Sequence, residues 1–132
     1  ESPLLGLAEH FWPGGLTLVV PAFPGLPEPV TAGTNMVGVR MSGHPVAREL
    51  LERLGEPIVA TSANVSGHAA AACAKECDAA GLEGVAGLVD GGQVSGASST
   101  VVGLKGGGLT IFREGPIGVE ALNDVWETLR AR

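Results

Sequence analysis

Short apolar runs of strand length alternate along this chain with segments of helical period, and glycine or proline stands at nearly every junction between them. Leu4, Leu5, Ala8, Phe11 and Trp12 recur at helical spacing, and Pro13-Gly14-Gly15 ends that helix before the apolar run Leu16–Val20. Pro45 opens a second helix, with Val46, Leu50, Leu51 and Leu54 on one face and Gly55 as its C-terminal cap. Pro116 precedes another, carrying Val119, Leu122, Trp126 and Leu129 on one face. Between them, Met36–Met41, Pro57–Ala60, Gly84–Val89, Thr100–Leu104 and Leu109–Phe112 read as strands, and Ala69–Ala80 as a further helix. The last two strands are expected to form a hairpin across Gly106-Gly107-Gly108. Residues 21–34 hold four of the nine prolines and neither period, so they read as an irregular surface loop. Strands and helices interleaved in this way predict an α/β fold, a mixed twisted sheet flanked by helices, built as one domain over residues 1–132.

The composition narrows the function classes. At 45% hydrophobic residues the chain can bury enough surface to fold. A formal net charge of −6 with no basic run offers no general attraction to phosphate backbones or anionic membranes. The apolar runs are too short to span a bilayer and no secretory leader opens the chain, which reads as cytoplasmic. Cys73 and Cys77 lie four apart on what reads as one helical face, as reduced small hydrophobes, and with His68 they match no standard zinc spacing. The chain opens on Glu and enters at once what reads as the end of a helix, which predicts a preceding segment.

No GxSxG nucleophile elbow, Walker-type loop or helix-opening GxGxxG is present. Instead, three polar, glycine-flanked loops follow strand ends: Thr61–Gly67, Asp90–Thr100 and Arg113–Pro116, the places where open α/β sheets bind ligands. Ser62 and Asn64, between a strand and a helix, can converge hydroxyl, amide and backbone N–H groups on an anion; equally, Asn64 or Ser66 can cap the following helix. Arg113 suits an anion clamp, or is an exposed or Glu-paired arginine, and Arg40 at another strand end carries the same two readings. His10, His44 and His68 have no triad partner nearby in sequence, and the two tryptophans sit on core-type helical faces.

Taken in order, these loops resemble one family. Phe11-Trp12-Pro13-Gly14-Gly15-Leu16-Thr17 resembles its helix end and P-G-P-L-T turn, and Val37-Gly38-Val39-Arg40 with His44-Pro45 resembles its V-x-V-R followed by H-P. Ala60-Thr61-Ser62-Ala63-Asn64-Val65-Ser66-Gly67 resembles its A-T-S-A-N-x-S-G loop. Asp90-Gly91-Gly92, Ser99-Thr100-Val101-Val102 and Arg113-Glu114-Gly115-Pro116-Ile117 resemble its D-G-G, S-T-V-V and R-x-G-x-I blocks. The family is YrdC/Sua5, with a fold similar to that of DHBP synthase, whose members make threonylcarbamoyl-AMP from L-threonine, bicarbonate and ATP for the t6A modification of tRNA.

The resemblance implies that Ser62 and Asn64 are the S-x-N half of a K-x-R…S-x-N tetrad on the ATP phosphates. It implies that Met36, Ala70 and Arg113 also contact ATP, and that Arg40, Ala60 and Ser99 contact L-threonine. Mg2+ is expected to arrive with ATP, with no protein-held metal. The family's N-terminal portion, with its K-x-R pair, has no counterpart in these 132 residues. The domain is therefore expected to be partial, a poor catalyst alone, and prone to self-association through an uncovered sheet edge. Contact with tRNA-modification partners or double-stranded RNA is implied only at the level of the family, and no membrane contact is expected. Two alternatives remain: a YrdC-like domain associated with carbamoyl transfer, as in hydrogenase maturation, and a non-catalytic nucleotide- or RNA-binding remnant.

Overall fold

The computed structural model of the protein describes residues 2–81 and 83–131. The chain divides into two compact units, one formed by Glu1–Arg48 with Ser98–Arg132 and the other by Glu49–Ala97.

The first unit is a four-stranded mixed sheet in the order β2-β1-β3-β4. Its strands are β1 (Leu16–Pro21), β2 (Met36–Val39), β3 (Thr100–Lys105) and β4 (Gly108–Arg113). β1 pairs antiparallel with β2 and parallel with β3, and β3 pairs antiparallel with β4 in the expected hairpin. The hairpin turn is Gly106-Gly107, with φ of 60° and 80°; two consecutive positive values are the geometry that matches the twist of the flanking strands.

Alternation along the strands sorts the sheet into two faces. Leu16, Leu18 and Val102 point to one face and are buried there with Leu4, Leu7 and Ala8 of α1 (Pro3–Phe11) and Leu122 and Trp126 of α5 (Val119–Arg130). Leu7, Leu16, Val102 and Leu122 are fully buried, and each such side chain contributes about 1.5–3 kcal/mol relative to exposure. Pro3 at the first helical position presets α1, and Trp12 Nε1 donates to Leu16 O at 2.7 Å, tying the helix end to the start of β1. The tryptophans are core residues, as their spacing predicts. The opposite face carries Thr17 and Val19 beside Gly38 and Gly103: a Cβ on Gly38 would lie 3.1 Å from Thr17 Cγ2, and one on Gly103 would lie 3.1 Å from Val19 Cβ.

Residues 21–34 are not wholly irregular. They contain the short helix α2 (Glu28–Thr31), closed by Ala32 in the left-handed region and by Thr34 Oγ1 donating to Thr31 O at 2.6 Å. Helix α3 (Pro45–Leu54) ends as its sequence predicts, on Gly55 at φ 70° with Gly55 N donating to Leu51 O at 2.9 Å.

Three expectations fail in the second unit. Pro57–Ala60 and Gly84–Val89 form no strand, and their apolar side chains stand open, Val59 at 74% and Val89 at 70% exposed. A strand exists only by exchanging backbone bonds with a partner, and these runs join no ladder among the described residues. The helix expected over Ala69–Ala80 shrinks to α4 (Ala74–Ala79). Its first turns are lost because Ala71 N donates to Ala63 O at 3.0 Å and Val94 N donates to Ala72 O at 2.8 Å, so those backbone groups are engaged elsewhere. Glu76 then reaches back to accept from Ala72 N at 2.8 Å, closing the helix start. Cys73 consequently sits at the cap in extended conformation rather than on a shared helical face with Cys77, and both thiols are free.

Candidate functional site

Ser99 lies immediately before β3, and its neighbour Thr100 fixes the backbone there. Thr100 N donates to Gly15 O at 2.9 Å, setting β3 beside β1, while the Thr100 hydroxyl donates to Ile117 O and accepts from Ile117 N, each at 3.0 Å. Thr100 is 1% exposed, so this exchange pins the segment after β4 against the start of β3 from within. Gly115 permits the approach: a Cβ there would stand 2.5 Å from Thr100 N and 2.6 Å from Ser98 O, both backbone atoms.

Arg113, the last residue of β4, is opposite Val101 across a register shift. Its Nε donates to Ser99 O at 3.0 Å and its Nη2 donates to Ser99 Oγ at 3.2 Å, and Thr17 Oγ1 lies 2.7 Å from the same Ser99 oxygen. Arginine and serine, read from sequence as separate candidates, thus form one cluster. Among the described residues Arg113 has no carboxylate partner. It is exposed and cationic, with N–H donors beyond the two used on neutral oxygens, which suits an anion at this edge of the sheet.

Met36 opens β2, and Arg40 stands just past its end with the same parity as Gly38, the residue in contact with Thr17. Gly14 N donates to Met41 O at 2.9 Å, anchoring the chain just beyond Arg40 to the turn before β1. Met36, Arg40, Ser99 and Arg113 therefore belong to the first unit.

Ala60, Ser62, Asn64 and Ala70 belong to the second. Asn64 Nδ2 donates to Val65 O and to His68 O, both at 3.0 Å, and Ala71 N closes the loop on Ala63 O. Neither Asn64 nor Ser66 caps α4, whose cap residue is Cys73. Asn64 instead organises its own loop, while its Oδ1 is buried without a partner, an acceptor that a ligand donor would satisfy. Ser62, Ala60 and Ala70 are exposed. Asp90 Oδ1 accepts from Gly92 N at 2.9 Å in the D-G-G turn. Among the described residues no three His, Cys, Asp or Glu side chains gather to hold a metal, and no helix is long and apolar enough to cross a membrane.

Thr17 and Gly115 are the residues that site reasoning from sequence passed over. Thr17 left a signal, a hydroxyl inside an otherwise apolar strand.

The four-stranded mixed sheet flanked by helices, with the Thr17–Ser99–Arg113 cluster beside the start of β3, is a fold of the Sua5/YciO/YrdC type. The model of that family, described as "Telomere recombination", matches residues 1–115, and the chain belongs to it. It is 41% identical over 122 residues to a threonylcarbamoyl-AMP synthase of Bacillus subtilis, covering 90% of this chain and 35% of that protein. A threonylcarbamoyl-AMP synthase of Pyrococcus abyssi is 35% identical over 125 residues, covering 94% of this chain and 37% of that protein. The chain thus spans about a third of the length of these two relatives. The crystal structure of P. abyssi Sua5 complexed with L-threonine matches with a TM-score of 0.86 at 35% identity, over 92% of this chain and 36% of that one. That of Escherichia coli YciO matches with a TM-score of 0.71 at 26% identity, over 89% and 58%.

Proposed function

We propose that this chain carries residues through which a threonylcarbamoyl-AMP synthase binds L-threonine and ATP. The observation that carries the reading is the Thr17–Ser99–Arg113 cluster, a buried hydroxyl and an exposed guanidinium side by side at a strand end. A family relative of that name and a relative crystallised with L-threonine support it. In this reading Arg40, Ala60 and Ser99 contact L-threonine, while Met36, Ser62, Asn64, Ala70 and Arg113 contact ATP. The amino group of threonine takes up bicarbonate with loss of water. The resulting carbamate oxygen then attacks the α-phosphorus, and the bond to pyrophosphate breaks. The work of the protein is positioning and charge neutralisation, so no covalent nucleophile is required. Mg2+ would enter on the triphosphate as part of the substrate, and the product would serve t6A formation in tRNA.

The test is calorimetric titration of the full-length protein with ATP and with L-threonine, followed by pyrophosphate release and mass spectrometry of the product. Threonylcarbamoyl-AMP formed only when threonine, bicarbonate and ATP are all present is the expected result. ATP-dependent carbamoylation of another acceptor, with threonine ignored, would overturn it.

A further inference from the structure

Ser99 Oγ stands 2.7 Å from Thr17 Oγ1 and 3.2 Å from Arg113 Nη2, and Ser99 is only 8% exposed. A serine hydroxyl has one proton to give and two lone pairs to receive with. Arginine only donates, so the bond from Arg113 occupies one lone pair. The Thr17 bond can run either way, and its direction decides what Ser99 offers a ligand. If Ser99 donates to Thr17, its proton is spent inside the protein. If Thr17 donates to Ser99, both lone pairs are filled and the proton is free for an acceptor outside. An amino-acid carboxylate has no proton, so it can bond Ser99 only in the second arrangement. Two donors feeding one hydroxyl also polarise it into a better donor.

We propose that Thr17 is a positioning residue that donates to Ser99 and so fixes the Ser99 hydroxyl as a donor toward the carboxylate of the amino-acid substrate. This rests on the assignment of Ser99 to L-threonine given above. The strand places Thr17 for the task. Its backbone is opposite Val101 in the parallel β1–β3 ladder, and its methyl group fits against Gly38, where any Cβ would approach to 3.1 Å. The hydroxyl is left facing Ser99 as its one hydrogen-bond partner among the described residues.

Thr17→Val keeps the branched shape and removes the hydroxyl; Thr17→Ser keeps the hydroxyl and removes the methyl. Calorimetric titration of the full-length protein is expected to give a Kd for L-threonine about 3- to 10-fold higher in Thr17→Val, the range of one lost net hydrogen bond, with Thr17→Ser within about twofold of the parent. The Kd for ATP, titrated alone, stays within about twofold in both. Equal losses for both ligands, an unchanged Kd for L-threonine, or a Thr17→Ser variant as weak as Thr17→Val would each overturn the proposal. Ser99→Ala separates the two levels. Unaltered threonine binding there removes Ser99 from the site and this inference with it, whereas a loss in Ser99→Ala without one in Thr17→Val overturns the inference alone.

Discussion

Arg113 grips Ser99 at two points, Nε on the carbonyl oxygen at 3.0 Å and Nη2 on the hydroxyl at 3.2 Å. The residues are 14 apart in sequence, and the grip joins the end of β4 to the residue before β3.

Arg113→Lys is expected to be non-conservative. An ammonium on a flexible stem cannot reproduce a planar fork that holds Ser99 while presenting further N–H donors outward. The ATP Kd should rise at least about tenfold by calorimetric titration, in line with the loss of a charge-assisted bond of about 1.5–3 kcal/mol. Thermal stability should change little, because the side chain is exposed. Unchanged affinity would make Arg113 a purely structural clasp.

Ser62→Ala and Asn64→Ala should both weaken ATP binding by roughly 1.5–3 kcal/mol, but only the second should cost stability. Ser62 is exposed, whereas Asn64 Nδ2 holds Val65 O and His68 O. Removing that amide should lower unfolding free energy by about 1 kcal/mol in urea titration. Equal stability losses in the two variants would contradict the role of Asn64 as the organiser of its loop.

Gly115→Ala should be far more damaging than Gly106→Ala. At Gly115 the added methyl would meet two backbone atoms, Thr100 N at 2.5 Å and Ser98 O at 2.6 Å, and Thr100 N is already held by its bond to Gly15 O. Gly106 has φ 60° but open space around it, so alanine there costs only the left-handed conformation, about 1–2 kcal/mol. Urea midpoints of the two variants check the order, and threonine affinity should fall only in Gly115→Ala.

Thr100→Val should destabilise the domain by about 1–3 kcal/mol despite its similar shape, since both the N–H and the C=O of Ile117 lose their partner in a buried place. Amide hydrogen exchange at Ile117 is the direct readout. Retained protection there would mean that the backbone finds other partners.

What could be read along the chain was what neighbouring residues decide among themselves. The apolar faces of α1 and α5, the Pro45 start and Gly55 stop of α3, and the Gly106-Gly107 turn each depend on spacing or on a single residue's allowed dihedrals. Ser62, Asn64 and Arg113 could be singled out because polar residues gather there in glycine-flanked loops, whereas Ser99 is marked only by the resemblance of Ser99-Thr100-Val101-Val102 to a family block. Only the tertiary structure decided the rest, because a strand, a truncated helix and a shared site all depend on partners distant in sequence. Pro57–Ala60 and Gly84–Val89 have strand composition but no ladder partner among the described residues. Ala69–Cys73 has helical composition, yet Ala63 and Val94 take up its backbone groups. Thr17 and Ser99, 82 residues apart, meet only because β3 lies parallel beside β1, a pairing set by the burial of Leu16, Leu18 and Val102 on the far face of the same sheet.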